Sequence, residues 1–502
     1  MTQVAGAQRP VIPGFHPDPS VCRVGDWYYL ATSSFGYAPG VPVHRSRDLL
    51  HWELIGHALH RPSQLHLDGT STGGGIFAPT LRHHDGRFLM ITTNILDGPG
   101  TQLLVTATDP AGPWSEPVRV GPIPGIDPDI AWDEDGTCYV VNSGHDGERP
   151  TGITQTVIDP ETGAVLSDTT VVWEGTGGKY PEAPHLFELG EFWYLLIAEG
   201  GTERGHAVTI ARATSITGPF ESCPHNPLLT ARGTDDPVQQ TGHADLVQRP
   251  DGSWAMVYLG TRPRGGSPEW FVLGRETFAR EVTWEDDWPV VGEPLFLRDE
   301  EPVELVELEE DELPLTWVSL QRFPDQLLER TGTGWRLSAT VDDPTSDSLA
   351  FVGRRQEHLY ATGRATVERG AFVGGMSLRM DSAHHYDIEV DGDRVTALAQ
   401  IGPVRAALGA APLPPGGADV VLEIRAVAQH APFAWSPTGP DDVLLGFHGP
   451  AGFTEVGRLD GRYLSTEVAG GMTGRILGCY VTRGDMVVRS CTYTGSDDPK
   501  AL

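Results

Sequence analysis

A fivefold internal repeat over about the first 300 residues limits the folds that this chain can adopt. A turn dipeptide followed by an aromatic, strand-like run occurs five times. The runs are GDWYYLATSS from Gly25, DGRFLMITTN from Asp85, DGTCYVVNSG from Asp135, GEFWYLLIAEG from Gly190 and DGSWAMVYLG from Asp251. Each run predicts a hairpin turn and the strand that follows it. A second strand-like element follows every run, so one repeat holds about four strands.

Units of this size predict a five-bladed β-propeller, because a single small sheet cannot bury both of its faces without neighbours. The alternative is an ordinary β-sandwich with accidental internal similarity. The propeller is favoured because the repeat shares two elements in a fixed order and not one turn motif. Disorder is excluded, since 39% of the residues are hydrophobic and 13 Trp are spread along the chain.

The remainder of the chain predicts a second all-β domain. Residues 299–313, DEEPVELVELEEDEL, are acidic and predict a solvated connector. Beyond them, the segment YDIEVDGDRVTAL places Tyr386, Ile388 and Val390 on one face of a strand that ends at an Asp-Gly turn. We therefore expect a propeller over residues 1–298, an acidic linker over 299–313 and an antiparallel β-sandwich over 314–502.

The charge of the chain argues against two classes of partner. A formal net charge of −32 repels phosphate backbones and anionic lipid surfaces, so neither nucleic acid nor a membrane is expected to bind. No signal-peptide pattern opens the sequence, and we expect a cytoplasmic protein. The five Cys lack CxxC spacing, which argues against a zinc site or a disulfide framework. The oligomeric state stays open, a homo-oligomer included.

The candidate site residues stand at the entrances of the predicted inner strands. Each inner strand aligns on an apolar residue before its turn, and these anchors are Val21, Leu81, Ile130, Leu186 and Leu246. The residues three positions before the anchors are Asp18, Ala78, Asp127, Ala183 and His243. In two repeats the residue four positions before the anchor is aromatic or acidic, namely Phe77 and Glu182.

Equivalent positions of the blades converge on the propeller axis, so these side chains should meet at the channel entrance. Asp129 stands only one residue before its anchor, and strand alternation predicts that it points away from the channel. Three clustered carboxylates repel one another and raise each other's pKa values. This repulsion destabilises the fold, so such a cluster indicates a functional site that needs the raised pKa values.

Hydrolysis of a glycosidic bond is the chemistry that such a cluster indicates. It needs a protonated acid for the leaving oxygen and an ionised carboxylate on the opposite side, and a third carboxylate can tune the acid. A metal site is the competing interpretation, although no HExxH motif or calcium-loop motif is present. A non-catalytic glycan-binding propeller is the alternative from another functional class, and it would bind sugar without releasing any.

At these residues the sequence resembles glycoside hydrolase family 43, whose members are five-bladed propellers acting on xylose- and arabinose-containing glycans. The resemblance covers nearly the whole chain. Its matching stretches are GFHPDPSVCRVGDWYYLATSSF, GGGIFAPTLR, GIDPDIAWDEDG, YPEAPHLFE, AEGGTERGHAVTIARATSITGPF, TGHADLV and LGRETF. The region after the linker resembles the concanavalin A-like β-sandwich of the family's β-xylosidase branch.

The resemblance implies a role for each candidate residue. Asp18 corresponds to the general base, Glu182 to the general acid, and Asp127 to the group that orients the acid and modulates its pKa. Four further residues match positions that line the sugar pocket, namely Phe35, Phe77, His243 and Arg275. The Arg at that position is expected to donate to a sugar hydroxyl or to steady the Asp127 carboxylate.

The resemblance also implies an exo-acting, inverting enzyme that releases xylose or arabinose from xylo- or arabino-oligosaccharides. Inversion requires a separation of about 6.5 to 9.5 Å between the acid and base carboxyl groups. Which of the two sugars is preferred stays open, as does a contribution of the second domain to the pocket. No cofactor is expected to be required. A structural calcium ion, with His243 beside a hydrated ion, stays open.

Overall fold

The computed structural model describes residues 8–145, 150–296, 302–309, 311–429 and 438–500. Within these residues, antiparallel sheets of four or five strands follow one another along the first part of the chain. In each sheet the first strand is paired with the second and the second with the next, so every sheet is a meander built from one sequence repeat. The predicted five-bladed propeller is confirmed.

The bounds of the blade strands follow the repeat. The first blade and an extra short strand comprise β1 (Ser20–Val24), β2 (Trp27–Ala31), β3 (Tyr37–Ala38), β4 (Gly40–Ser46) and β5 (Glu53–Leu59). The second comprises β6 (Thr80–His84), β7 (Arg87–Thr93), β8 (Gln102–Ala107) and β9 (Val118–Val120). The third comprises β10 (Ile126–Trp132), β11 (Cys138–His145), β12 (Pro150–Ile158) and β13 (Thr170–Trp173). The fourth comprises β14 (Glu182–Leu189), β15 (Phe192–Glu199), β16 (Ala207–Ala213), β17 (Glu221–Ser222) and β18 (Leu229–Thr230). The fifth comprises β19 (Gln239–Gln248), β20 (Trp254–Thr261), β21 (Glu276–Glu285) and β22 (Trp288–Leu295).

The blades are held together by separate hydrophobic cores between neighbouring sheets. The five apolar anchors of the sequence alignment are all buried, and each lies in a different core. Val21, for example, packs with Val247 and Val257 of the fifth blade, which closes the ring. Ile12, upstream of the first blade, also bridges to Thr277 of the fifth blade. The alternation of apolar residues on the inner strands therefore provides the contacts between the blades.

The second domain is a β-sandwich of two large sheets, as predicted. Its elements are β23 (Val303–Glu307), β24 (Trp317–Leu320), α1 (Pro324–Leu327), β25 (Leu328–Arg330), β26 (Trp335–Ser338), β27 (Ala350–Arg355), β28 (Tyr360–Glu368), β29 (Val373–Asp381), β30 (His384–Asp391), β31 (Arg394–Ile401), β32 (Val404–Pro412), β33 (Asp419–Val427), β34 (Asp442–Gly449), β35 (Gly452–Asp460), a 3₁₀ helix (Gly461–Leu464), α2 (Thr466–Ala469), β36 (Ile476–Arg483) and β37 (Asp485–Ser496). One sheet has the order β25-β26-β37-β28-β33-β34-β35 with β23 paired to β37, and the other has the order β3-β24-β27-β36-β29-β30-β31-β32. Tyr386, Ile388 and Val390 share the core face, as the alternation predicts. None of the described helices is long and apolar enough to span a lipid bilayer.

The predicted acidic linker, residues 299–313, differs from a solvated connector. Its strand β23 pairs with β37 of the sandwich, and Leu305 packs against the sandwich core. The side chain of Glu307 is mostly buried and accepts a hydrogen bond of 3.0 Å from Arg354. The two-residue alternation of this segment and the ion pair explain why an acidic stretch joins a sheet. Residues 299–301 and 310 lie outside the described residues.

The two domains are joined by direct contacts near the propeller channel. Strand β3, which leaves the first blade, pairs with β24 of the sandwich. Arg262, directly after β20 of the fifth blade, bonds Glu276 of its own blade at 2.7 Å and Asp497 of the sandwich at 2.5 Å. The backbone N–H of Phe271 donates to Glu467 of α2. The last of these contacts brings α2 of the sandwich against the fifth blade.

Candidate active site

A shared backbone conformation brings the candidate residues to the channel. Asp18, Asp127, Ala183 and His243 occupy equivalent positions in four blades, and their φ angles are 59°, 56°, 53° and 46°. Left-handed φ is uncommon for residues other than glycine. In the third, fourth and fifth blades the pairing register shifts at this point, as it does at β-bulges. The repeat therefore encodes a local bulge that interrupts alternation where each inner strand begins.

Asp18 is buried and held by three groups. Arg275 donates to its Oδ1 at 2.9 Å, Ser33 donates to its Oδ2 at 2.5 Å, and Nδ1 of His243 lies 3.4 Å from Oδ1. Burial by itself would raise the pKa of Asp18, but the positive charge of Arg275 and the other contacts outweigh it and lower that pKa. Asp18 is therefore an ionised carboxylate at neutral pH.

Glu182 and Asp127 have the opposite electrostatic character. Burial raises the pKa of Glu182, and the charges of Asp127 and Asp18 raise it further. The pKa of Asp127 is also raised, first by burial and then by Asp18, against a hydrogen bond of 3.2 Å from the backbone N–H of Ala183. In the described part of the chain, no basic side chain forms an ion pair with Glu182. The pair therefore retains a proton at a pH where Asp18 is already ionised.

Arg275 is hydrogen-bonded to a different carboxylate from the one expected. Its guanidinium bonds Asp18 and not Asp127, and it also donates to Oγ1 of Thr202 at 3.1 Å. It lies 5.5 Å from the ring centre of Phe35. The short ion pair of Arg275 is thus made with Asp18 of the first blade, and its charge reaches Asp127 only as the weakest of the influences on the pKa of that carboxyl group. Donation to a sugar hydroxyl stays a prediction.

The two expected aromatic residues form one wall. The rings of Phe35 and Phe77 lie 5.4 Å apart, and Phe15 packs on the other side of Phe35 at 5.7 Å. Backbone hydrogen bonds between Phe35 and Ile76 hold the two segments together. Phe35 is buried, whereas Phe77 is partly exposed. His243 is also buried, and burial lowers its pKa to about 3, so its imidazole is neutral.

Three residues of the site escaped prediction. Ser33 stands near the end of the first repeat run, at a position where the other four runs carry no serine. Thr202 lies in the loop after the fourth run, and Met472 belongs to the sandwich domain. The Sδ atom of Met472 accepts from Nη2 of Arg275 at 3.2 Å. The second domain therefore reaches the side of the channel that carries Arg275. No local pattern in the sequence could have signalled a contact across 197 residues.

A second polar layer fills the channel below the carboxylates. Arg82 of the second blade donates to Asp245 at 2.8 Å and to Asp129 at 3.0 Å, and it lies 3.0 Å from Nδ1 of His185 and 3.3 Å from Oγ of Ser20. Its partners belong to all four other blades, so the guanidinium lies on the axis. The prediction that Asp129 points away from the channel is wrong, because the bulge at Asp127 resets the alternation of β10.

The residues around Arg82 do not fit a resident calcium ion, whereas a hydrated ion beside His243 stays a prediction. Calcium is bound by six to eight oxygen ligands, several of them carboxylates. Here the two deep carboxylates are already paired with Arg82, whose positive charge would repel a cation on the axis. Across the described ranges, no group of three or more His, Cys, Asp or Glu side chains is arranged as a metal site.

Comparisons with known proteins agree with this architecture. A family model described as glycosyl hydrolases family 43 matches residues 7–289. A second model, described as the beta xylosidase C-terminal concanavalin A-like domain, matches residues 306–490. Both matches follow the two domains seen in the structure.

Full-length relatives extend the similarity. The chain is 38% identical to a non-reducing end alpha-L-arabinofuranosidase of Bacteroides ovatus, across 96% of this chain and 93% of that protein. It is 35% identical to a xylosidase/arabinosidase of Butyrivibrio fibrisolvens, across 97% and 98% of the two chains. The solved structure of a xylan beta-1,4-xylosidase from Bacillus halodurans superposes with a TM-score of 0.85 at 31% identity, across 97% of this chain and 99% of that one. On the strength of these matches over both domains, the chain belongs to glycosyl hydrolase family 43 and is a glycosidase.

Proposed function

We propose that this chain is an exo-acting, inverting glycosidase that removes terminal α-L-arabinofuranosyl and β-D-xylosyl residues from short oligosaccharides. The observation that carries the proposal is that Asp18 is ion-paired with Arg275, whereas Glu182 has no ion pair in the described part of the chain and faces the charges of two neighbouring carboxyl groups. The pKa of Asp18 is lowered and that of Glu182 is raised, as a base and an acid working together require.

The hydrolytic step follows from these protonation states. Asp18 takes a proton from a water molecule, and the water oxygen attacks the anomeric carbon of the terminal sugar. The bond to the leaving oxygen breaks as Glu182 gives that oxygen its proton, so the configuration at the anomeric carbon inverts. Asp127 keeps the pKa of Glu182 high, and exchange with solvent then restores both carboxyl groups.

The filled channel supports action at chain ends. The Arg82 layer closes the axis below the carboxylates, so a sugar can enter from one side only. A pocket of this form holds a terminal residue and excludes the middle of a polymer. Detection of internal cleavage of xylan or arabinan as the first event would contradict this part of the proposal.

The choice of both sugars rests on the relatives. The protein of Bacteroides ovatus is named an arabinofuranosidase, and that of Butyrivibrio fibrisolvens is named a xylosidase/arabinosidase. A xylopyranoside and an arabinofuranoside present similar hydroxyl groups to one pocket. Kinetics on 4-nitrophenyl α-L-arabinofuranoside and 4-nitrophenyl β-D-xyloside, measured side by side, should therefore show turnover of both. Turnover of one alone would narrow the proposal to that sugar.

Replacement of the two carboxylates tests the catalytic assignment. Asp18→Ala and Glu182→Ala should each lower kcat by orders of magnitude, and added azide should partly restore turnover of an activated aryl glycoside. Near-normal activity of Asp18→Ala would remove Asp18 from its role. A glycan-binding propeller would bind oligosaccharides without releasing reducing sugar, and such a binder has no use for carboxyl groups with opposed pKa shifts.

A further inference from the structure

The segment that leads into Glu182 is held by a buried carboxylate outside the catalytic group. We define the acid loop as residues 174–181, between β13 and β14. Glu199 at the end of β15 is 2% exposed, and in the described part of the chain it has no ion-pair partner. Its Oε1 accepts from the backbone N–H groups of Thr176 and Gly178 at 2.9 and 3.0 Å. Its Oε2 accepts from the hydroxyl groups of Thr176 and Thr209 at 2.8 and 2.7 Å.

The glycines of the acid loop show how closely it fits this carboxylate. A Cβ atom at Gly175 would come within 2.6 Å of Oε1 of Glu199, and one at Gly178 would come within 2.9 Å of its Cβ. Gly175 also has a φ of 79°, which favours glycine. Three of the four donors to Glu199 belong to the acid loop and fix it against this buried carboxylate, and the fourth, Thr209, lies on β16.

The same loop presents an exposed aromatic ring two residues before the general acid. Tyr180 is 49% exposed and has a φ of 49°, a conformation that is uncommon for a bulky residue. Its ring lies against Gly201, where a Cβ atom would come 3.2 Å from Cδ2. The next residue, Thr202, accepts from Arg275 in the pocket. Tyr180 therefore stands at the pocket rim, two residues before Glu182.

We propose that Tyr180 is the platform for the leaving-group sugar, and that Glu199 is a positioning residue that holds the platform and Glu182 in place through the acid loop. This inference rests on the proposed function. The leaving oxygen must lie beside the acid, so the sugar attached to that oxygen extends over the residues that precede Glu182. A tyrosine ring offers an apolar face to the C–H groups of a sugar and a hydroxyl to its polar edge. Binding of the leaving-group sugar would therefore explain why the acid loop, held by Glu199, exposes a tyrosine ring to solvent.

A comparison of leaving groups tests the platform. The substrates are a disaccharide and the methyl glycoside of whichever sugar the wild-type enzyme releases faster. Both need the acid, but the disaccharide alone has a leaving sugar to stack. Tyr180→Ala should lower kcat/KM about tenfold on the disaccharide and leave the methyl glycoside within about twofold. Tyr463→Ala, at an exposed tyrosine of the sandwich domain, is the matched control and should change neither value.

Equal losses of Tyr180→Ala on the two substrates would overturn the platform, as would no loss on either. Absence of hydrolysis by the wild-type enzyme on both substrates would instead overturn the proposed function, so the two failures are distinguishable.

The positioning role of Glu199 is tested by comparing a leaving group that needs a proton with one that does not. Glu199→Ala should lower kcat/KM at least about tenfold on the methyl glycoside and far less on a 2,4-dinitrophenyl glycoside, whose leaving group departs without a proton. Glu199→Gln keeps an acceptor for the N–H groups and should retain activity on both. A uniform loss on all substrates, or a loss for Glu199→Gln equal to that of Glu199→Ala, would contradict the assignment. Should Glu199→Ala fail to fold, Thr176→Val removes one of the same bonds and must show the same substrate dependence.

Discussion

Arg275 of the fifth blade forms an ion pair of 2.9 Å with Asp18 of the first blade, and this contact separates the charge states of the three carboxyl groups. The guanidinium lowers the pKa of Asp18, whereas the pKa of Glu182 remains raised by burial and by its acidic neighbours. One pocket can therefore hold an ionised base and a protonated acid at the same pH.

Removal of Arg275 should move the acid limb of the pH profile. Asp18 is active when ionised, so activity is lost as the pH falls through its pKa. Arg275→Ala removes the strongest group that lowers this pKa, and the acid limb of kcat/KM should shift to higher pH with a loss of about a hundredfold at the optimum. Thr202→Val, which removes the other oxygen partner of Nη1, is the control and should leave the limb in place. An unshifted acid limb in Arg275→Ala would show that the pair does not set the ionisation of Asp18.

Removal of the Asp127 charge should move the basic limb. Glu182 is active when protonated, so activity is lost as the pH rises through its pKa. Asp127→Asn removes one cause of the raised pKa, and the basic limb should shift to lower pH while kcat falls about tenfold to a hundredfold on an alkyl glycoside. Asp135→Asn changes an exposed carboxylate of the same blade and should shift nothing. A basic limb at its original position in Asp127→Asn would contradict the modulating role.

Chelation should leave the enzyme unchanged. Arg82 occupies the axial position between Asp129 and Asp245, and we expect no divalent cation to be needed there. Incubation with EDTA followed by gel filtration should alter neither kcat nor Tm. A loss that added calcium reverses would show that a cation contributes after all.

The Arg82 layer should instead contribute to stability. Arg82→Met leaves Asp129 and Asp245 buried without their cation, which should lower the free energy of unfolding by about 3 to 5 kcal/mol. The control is Arg87→Met, also in the second blade, which breaks an exposed pair with Glu161 of the third blade and should cost less than about 1 kcal/mol. Denaturant titration of both variants measures the difference. Equal free energies of unfolding for the two variants would mean that the Arg82 layer does not stabilise the fold.

The repeat made much of this fold predictable. Each blade repeats the same anchor, so aligning Val21, Leu81, Ile130, Leu186 and Leu246 was enough to count the blades and to bring Asp18, Asp127 and Glu182 to one entrance. The prediction for Asp129 failed because strand alternation was applied across a bulge, where an extra residue resets it. A bulge of this kind leaves no composition signal in a single sequence.

Contacts between segments far apart in the chain also could not be predicted from the sequence. Met472 approaches Arg275 only after the sandwich docks on the propeller, and no spacing along the chain encodes that approach. The acidic segment around Glu307 became a strand because Arg354 and the edge of β37 were available, and neither is visible from local charge. Tertiary pairing thus overrode the local preference for solvent.

The anomer first released from 4-nitrophenyl β-D-xyloside tests the central claim most directly. If Asp18 activates water while Glu182 protonates the leaving oxygen, ¹H NMR of the early time course should show α-xylose first, with the β-anomer growing only by mutarotation. Initial release of β-xylose would mean retention of configuration, and it would contradict the assignment of Asp18 as a base acting on water.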